Sequence, residues 1–180
     1  MEDLGHSNWD VYMLRLMLLL CCSLYLLGCT PTLDQTKSDS GHIITPGVGI
    51  ENLSLSDSIE HATSNFSKDF VMKDGYLLLP TKGIDASYNN EGKIAAIFLY
   101  YRLPKYKSFE GITDKGIGKN SSIQDVYKAY GTPTREGDSV VSEFGAMPGA
   151  HEHTITYLHS GIEFTFWDKQ LADIRVINSR

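Results

Sequence analysis

Two stretches of the chain alternate apolar and polar residues in the same way. In "GIEFTFWDKQLADIRV", residues 161–176, Ile162, Phe164 and Phe166 alternate with Glu163, Thr165 and Trp167. This is the period of a strand with one buried face. Asp168-Lys169 supplies a turn, and Leu171, Ile174 and Val176 return in steps of three and then two, which predicts a β-bulge between the first two. In "GIDASYNNEGKIAAIF", residues 83–98, Ile84, Ala86 and Tyr88 alternate and Asn89 to Gly92 turns the chain; Ile94, Ile97 and Leu99 repeat the uneven step. The shared irregularity links the two stretches more closely than shared hydrophobicity, because any two amphipathic hairpins alternate. Their outward residues differ: Glu163, Thr165 and Trp167 in one, Asp85, Ser87 and Asn89 in the other.

Helical periodicity precedes each hairpin. In "SSIQDVYKAYG", residues 121–131, Ile123, Val126, Tyr127 and Tyr130 share one face. Ser121 and Gln124 have the spacing of a capping box, and Gly131 with Pro133 ends the helix. Leu55, Ile59, Ala62 and Phe66 define a similar face in "SLSDSIEHATSNF", residues 54–66. The pattern is that of two diverged copies of one unit: a Gly-rich entry, a helix, then antiparallel strands. The expected fold class is therefore α+β. Two tandem helix plus antiparallel-hairpin units, residues 47–107 and 108–180, would share one curved antiparallel sheet with helices on one face.

The longest apolar run lies near the N-terminus. Arg15 precedes Leu16 to Leu27, a stretch too short for a bilayer span of ~20 apolar residues and proportioned like a secretory leader. It ends in Leu26-Leu27-Gly28-Cys29, which resembles the lipobox of bacterial lipoproteins. The resemblance implies that residues 1–28 are a signal peptide, that cleavage precedes Cys29, and that Cys29 carries a thioether-linked lipid beside an acylated amino terminus. Glu2, Asp3 and Asp10 do not suit a leader, so Met13 is the expected start. The other two cysteines, Cys21 and Cys22, fall within the leader, leaving an exported domain without free thiol or disulfide. Residues 29–46 contain "TPTLDQTKSDSGHIITP" and read as a flexible tether. Thr30 after the cysteine, rather than Asp, points to the outer membrane of a double-membraned cell, and otherwise to the outer face of the plasma membrane.

With 180 residues at 42% hydrophobic, the chain is long enough for one core or two small ones sharing an interface. A formal charge of −6 and the lack of a basic stripe exclude nucleic acid as a partner.

The second unit carries a further resemblance. Gly116, Gly118, Val126, Gly131, Pro133, Tyr157, Gly161, Ile162, Phe164, Phe166, Leu171, Ile174 and Val176 match a pattern of turns and core positions. That pattern is similar to small lipoproteins of the BamE/SmpA type and to two-repeat relatives typified by β-lactamase inhibitor protein. Asp168-Lys169-Gln170 departs from their usual Asp-Gly turn. The likeness implies a sheet backed by helices, whose free face binds protein, and it assigns no partner-binding residue.

Candidate chemistry is sparse. His151, His153 and His159 in "HEHTITYLH" fall on alternate positions and would share a face of an unbroken strand, a potential zinc site; a solvated strand face is the alternative. Ile155 stands where the zincin motif needs His, and Ile117 where a P-loop needs Lys. Ser121 breaks the dinucleotide fingerprint, and no G-x-S-x-G elbow is present. An enzyme is not expected, nor is a cofactor. "FLYYRLPKYKSF", residues 98–109, interleaves Tyr100, Tyr101 and Tyr106 with Arg102, Lys105 and Lys107. Tyr and Arg are enriched at interface hot spots, which makes Tyr100, Tyr101, Arg102, Tyr106 and the outward Trp167 candidate partner-binding residues. The loop "SEFGAMPGAHEH", residues 142–153, is a further exposed candidate. The expected protein is a lipid-anchored, non-catalytic envelope protein that binds another envelope protein as scaffold, assembly factor or inhibitor. The rival is a periplasmic metal- or small-ligand-binding lipoprotein using His151, His153 and His159.

Overall fold

The computed structural model describes residues 42–180. The apolar run expected to be a leader, Cys29 and most of the expected tether lie outside the described residues. In chain order the elements are β1 (His42–Ile44), β2 (Gly49–Ile50), β3 (Leu53–Ser54), α1 (Ile59–Ser64), β4 (Val71–Lys73), β5 (Tyr76–Leu79), β6 (Ile84–Tyr88) and β7 (Ile94–Tyr100). They continue with β8 (Gly111–Thr113), α2 (Ile123–Tyr130), β9 (Arg135–Val140), β10 (His151–Tyr157), β11 (Ile162–Trp167) and β12 (Gln170–Ile177).

Both hairpins pair as their alternation requires, and both bulges fall where the return strands step by three. Ser87 faces Ala96 and Tyr88 faces Ile94, so Ala95 is the extra residue. Thr165 faces Asp173 and Phe166 faces Leu171, so Ala172 is its counterpart. An unpaired residue lets Ile94 and Ile97, or Leu171 and Ile174, point to one side of the sheet despite odd spacing. Asp168 and Lys169 close the second hairpin with φ of 47° and 66°. Two consecutive left-handed residues make the turn whose twist matches its strands.

The α+β expectation of helix-plus-hairpin units is corrected by the structure. Strands take up 43% of the described residues and helices only 10%, so the fold is mostly β. One antiparallel eight-stranded sheet, in the order β4-β5-β6-β7-β12-β11-β10-β9, dominates it. The hairpins are only the inner halves of two four-stranded meanders. Their outer strands were hidden in the sequence for a physical reason. All six residues of β9 are exposed, as are the three of β4, so neither segment carries an apolar stripe to reveal it. The helices have six and eight residues, too short to form a layer of their own. Among the described residues no helix is long and apolar enough to cross a membrane.

The helices nevertheless cap one face of the sheet. Ser58 caps α1, its hydroxyl accepting from His61 N, while Ile59 N donates to Gly92 O in the β6–β7 turn. The capping box of α2 lies one residue later than the spacing suggested. Ser122 Oγ accepts from Asp125 N, and the Asp125 carboxylate accepts from Ser122 N, at 2.8 Å. Ser121 is instead bonded by Gly118 N. Ala62, Phe66 and Val126 pack on Leu77, Leu79, Ile97 and Leu99 from one meander and Ile155, Phe164, Phe166 and Ile174 from the other, forming one continuous core.

The expected tether also ends early. His42–Ile44 is a strand that pairs parallel with β8, and Ile44 is fully buried. Burying one isoleucine outweighs the polar character of the surrounding residues. The same entry segment crosses Gly161, whose φ is 70°. A Cβ there would lie 2.5 Å from Ile177 O and 2.6 Å from Gly47 Cα, which excludes any other residue.

Leu99 faces Ile84 on one side and Ile174 on the other, so it belongs to both meanders. Replacing Leu99 by Ala is expected to cost about 2–5 kcal/mol. Chemical denaturation should show a single shifted transition in both circular dichroism and Trp fluorescence. Two separated transitions would mean that the halves fold independently.

Candidate functional site

Alternation leaves a second set of side chains on the face of the sheet away from the helices. One row crosses all eight strands: Val71, Leu78, Asp85, Phe98, Arg175, Glu163, Thr156 and Arg135. Phe98 and Arg175 face each other at the β7–β12 junction, flanked by the carboxylates of Asp85 and Glu163. The Arg175 guanidinium lies 4.8 Å from the Phe98 ring centroid, and its Nη1 is 2.8 Å from Glu163 Oε1. Thr156 Oγ1 donates to the other Glu163 oxygen at 2.8 Å. A cation held between a π-face and a carboxylate is oriented by both.

Aromatic rings continue along this face. Tyr76 and Phe98 have centroids 6.1 Å apart, Phe98 and Tyr100 6.4 Å, and Tyr100 and Tyr106 5.3 Å. Tyr106 belongs to the segment after β7, which folds back over the sheet. Its hydroxyl donates to both Asp85 oxygens, at 2.9 and 3.1 Å. Burial raises the Asp85 pKa, and the Tyr106 and Tyr100 hydroxyls counter part of that rise. Burial also raises the pKa of Tyr100 and Tyr106, so neither is poised as a nucleophile or base.

Asp173 is the most unusual group on the face. It sits beside Tyr100 across the junction and opposite Thr165 on β11, and only 6% of its surface is exposed. Its Oδ1 has no hydrogen-bond partner among the protein atoms, and neither does Nε of Arg175 or of Arg102. Desolvation pushes its carboxyl up to about 7, against the opposing pull of Arg175 and Thr165, while Glu163 and Glu152 add to the rise.

The candidates read from the sequence divide between the two faces. Tyr100 and Tyr106 lie half-buried on the helix-free face as described, and Arg102 follows them with its amide on Ala172 O. Tyr101 points the other way: it is buried against Phe109 and its hydroxyl donates to Gly111 O at 2.9 Å. Tyr101 follows the last residue of β7 and continues its alternation, its N donating to Ala172 O, so it takes the face opposite Tyr100. Trp167 does face outward but is only 8% exposed. Leu103, Val141, Ala146, Ala150 and Ala172 cover it, and its Nε1 donates to Glu152 Oε2 at 3.1 Å. Neither Tyr101 nor Trp167 can serve as an anchor for a partner in this arrangement.

The histidines do not converge. β10 ends at Tyr157, so His159 lies in the turn beyond it, where Nδ1 donates to the Arg180 oxygen at 2.7 Å. His153 is 2.8 Å from Asp138 Oδ1 and 3.4 Å from the Tyr127 hydroxyl, while His151 is exposed. Among the described residues no group of three His, Cys, Asp or Glu is placed to hold a metal ion. The Asp138–His153–Tyr127 line has the order of a relay, but its end is unactivated. A hydrogen bond with Glu136 helps push Tyr127 up to about 12.

The sequence marked Asp85 and Glu163 only as outward residues of the hairpins and Phe144 only as part of the 142–153 loop, and it did not single out Asp173 or Arg175. An Asp and an Arg at outward positions of the otherwise apolar "LADIRVI" were the available signal for Asp173 and Arg175. Phe144 is 91% exposed in the loop whose base packs around Trp167. Comparisons with family models, curated proteins and solved structures each gave no match.

The raised pKa of Asp173 makes stability depend on pH. Its folded pKa is raised, so the folded state binds more protons than the unfolded state between the usual carboxylate range and about 7. Stability should therefore fall as pH rises through that window, by about 2–4 kcal/mol in total. Asp173→Asn should flatten this dependence and raise the melting temperature at pH 8. Thermal melts from pH 4 to 8 on both proteins check it. An unchanged slope in the variant would assign the dependence to another group.

Proposed function

We propose that this chain is a lipid-anchored envelope protein that binds another protein through the helix-free face of its sheet, without catalysis. The observation that carries the reading is the presentation of Phe144. A phenylalanine ring stands almost fully in solvent on a loop held by its own small core of Trp167, Ala150 and Ala172. A large apolar side chain on a firmly based loop has the character of an interface anchor. Tyr76, Phe98, Tyr100 and Tyr106, with Arg175 against Phe98, supply an aromatic and cationic surface on the adjoining face. This composition is enriched at protein interfaces.

The resemblance of residues 116–176 to small lipoproteins and their two-repeat inhibitor-like relatives, whose sheet binds protein, supports a binding role. In this reading Cys29 carries the lipid, and the partner lies within reach of the membrane that the lipid enters. In a double-membraned cell that is the periplasmic side of the outer membrane, and otherwise the outer face of the plasma membrane. The partner's surface would be read by shape and aromatic contact.

Capture from solubilised envelopes with the full chain tests the reading. A partner retained in stoichiometric amount should be lost at least about tenfold with Phe144→Ala, the scale of one interface hot spot. Tyr76→Ala should weaken it less, because Tyr76 lies farther along the face. Recovery of the same proteins with both variants would overturn the proposal. Independently, Cys29→Ser should move the protein from the membrane to the soluble fraction. Retention in the membrane would remove the lipid anchor from the proposal and leave the binding face untouched.

A further inference from the structure

A groove of about 340 Å³ opens on the helix-free face, at the end of the sheet away from Tyr106. Arg135, Thr156, Glu163 and Arg180 line it, with Leu158 and Ile177 as an apolar wall. Each element places its residue for a separate reason. Arg135 opens β9 and faces Thr156 across the ladder; Thr156 in turn faces Glu163. Arg180 is drawn back onto the β10–β11 turn. Its backbone N donates to Leu158 O at 3.0 Å, and its oxygen accepts from His159.

The charge in this groove is unbalanced. Glu163 is the one carboxylate side chain in its lining, and both of its oxygens are already engaged, by Arg175 and by Thr156; the Arg180 main-chain oxygen is engaged by His159. Arg175 thus neutralises Glu163 from outside the groove. Among the described residues neither Arg135 nor Arg180 forms an ion pair with Asp or Glu. Two guanidinium groups with no paired Asp or Glu side chain therefore line one concavity, in a protein whose formal charge is −6. Guanidinium groups offer N–H donors in a fixed plane that matches a carboxylate or phosphate.

We propose that this groove binds a small organic anion, with a carboxylate or phosphate head on the two arginines and a short apolar body against Leu158 and Ile177. The volume lies at the lower end of ligand pockets, about 300–1,000 Å³, which suits a small ligand. The apolar wall gives the body a place that water fills poorly. This site is separate from the Phe144 loop and does not rest on the protein-binding role.

Calorimetric titration of the full chain with butyrate, inorganic phosphate and the neutral isostere butyramide tests the proposal. Butyrate or phosphate should bind saturably, and butyramide at least about tenfold more weakly. Arg135→Gln and Arg180→Gln should each weaken anion binding about tenfold, with unchanged melting temperature because both side chains are at the surface. Glu163→Gln should strengthen it, since the change removes the groove's carboxylate and frees Arg175. Vesicles of phosphatidylglycerol and of phosphatidylcholine distinguish the ligand's source. Selective binding to phosphatidylglycerol that Arg135→Gln abolishes would assign the head to a lipid; selective binding to butyrate or phosphate would assign it to a free molecule. Equal binding of butyramide, or no Arg135-dependent binding to any of these probes, would overturn the proposal.

Discussion

Backbone hydrogen bonds between β7 and β12 join two four-stranded meanders edge to edge. Leu99 faces Ile174 and Ile97 faces Val176 on the core side of that junction. Without it each meander would expose a long inner strand edge, a template for pairing with other chains. With it, eight strands share one core, and only the short β4 and the polar β9 remain as edges. Edges of that kind resist further pairing: β4 is brief and carries Lys73, while β9 carries Glu136 and Asp138.

The same junction creates the chemistry of the opposite face. Pairing β7 with β12 sets Phe98 against Arg175 and Tyr100 against Asp173. Ions and aromatic rings that would be ordinary surface groups on a lone hairpin become central and desolvated in the assembled sheet. The chain segments after β7 and after β9 then fold over them, Tyr106 onto Asp85 and the Val141–Ala150 stretch onto Trp167. Burial without full hydrogen bonding is what raises the pKa of Asp173. The helices contribute nothing to it, because they lie on the other side.

Much of the local structure was legible beforehand. The bulges at Ala95 and Ala172 followed from an uneven apolar step, and the turn at Asp168-Lys169 from its position between two alternating runs. Helix α2 was visible because Ile123, Val126, Tyr127 and Tyr130 repeat at helical spacing. The β class was not, because the strands that tip the balance carry little apolar signal. β9 reads Arg-Glu-Gly-Asp-Ser-Val and owes its conformation to the partner strand β10. The site was legible only in part. Tyr100 and Tyr106 stood out by composition, but Tyr101 shared that composition and took the opposite face.

The sequence by itself determined the period-two hairpins, their bulges and the residues that face the core, since these follow from short-range geometry and the removal of apolar surface from water. It also carried the lipobox-like Leu-Leu-Gly-Cys at 26–29, a signal read from adjacent residues alone. Only the tertiary structure decided which polar residues meet. Arg175 reaches Phe98 and Glu163, and Arg135 joins Arg180, across strands far apart in the chain. Those encounters depend on strand order and register, quantities that no single stretch of sequence contains.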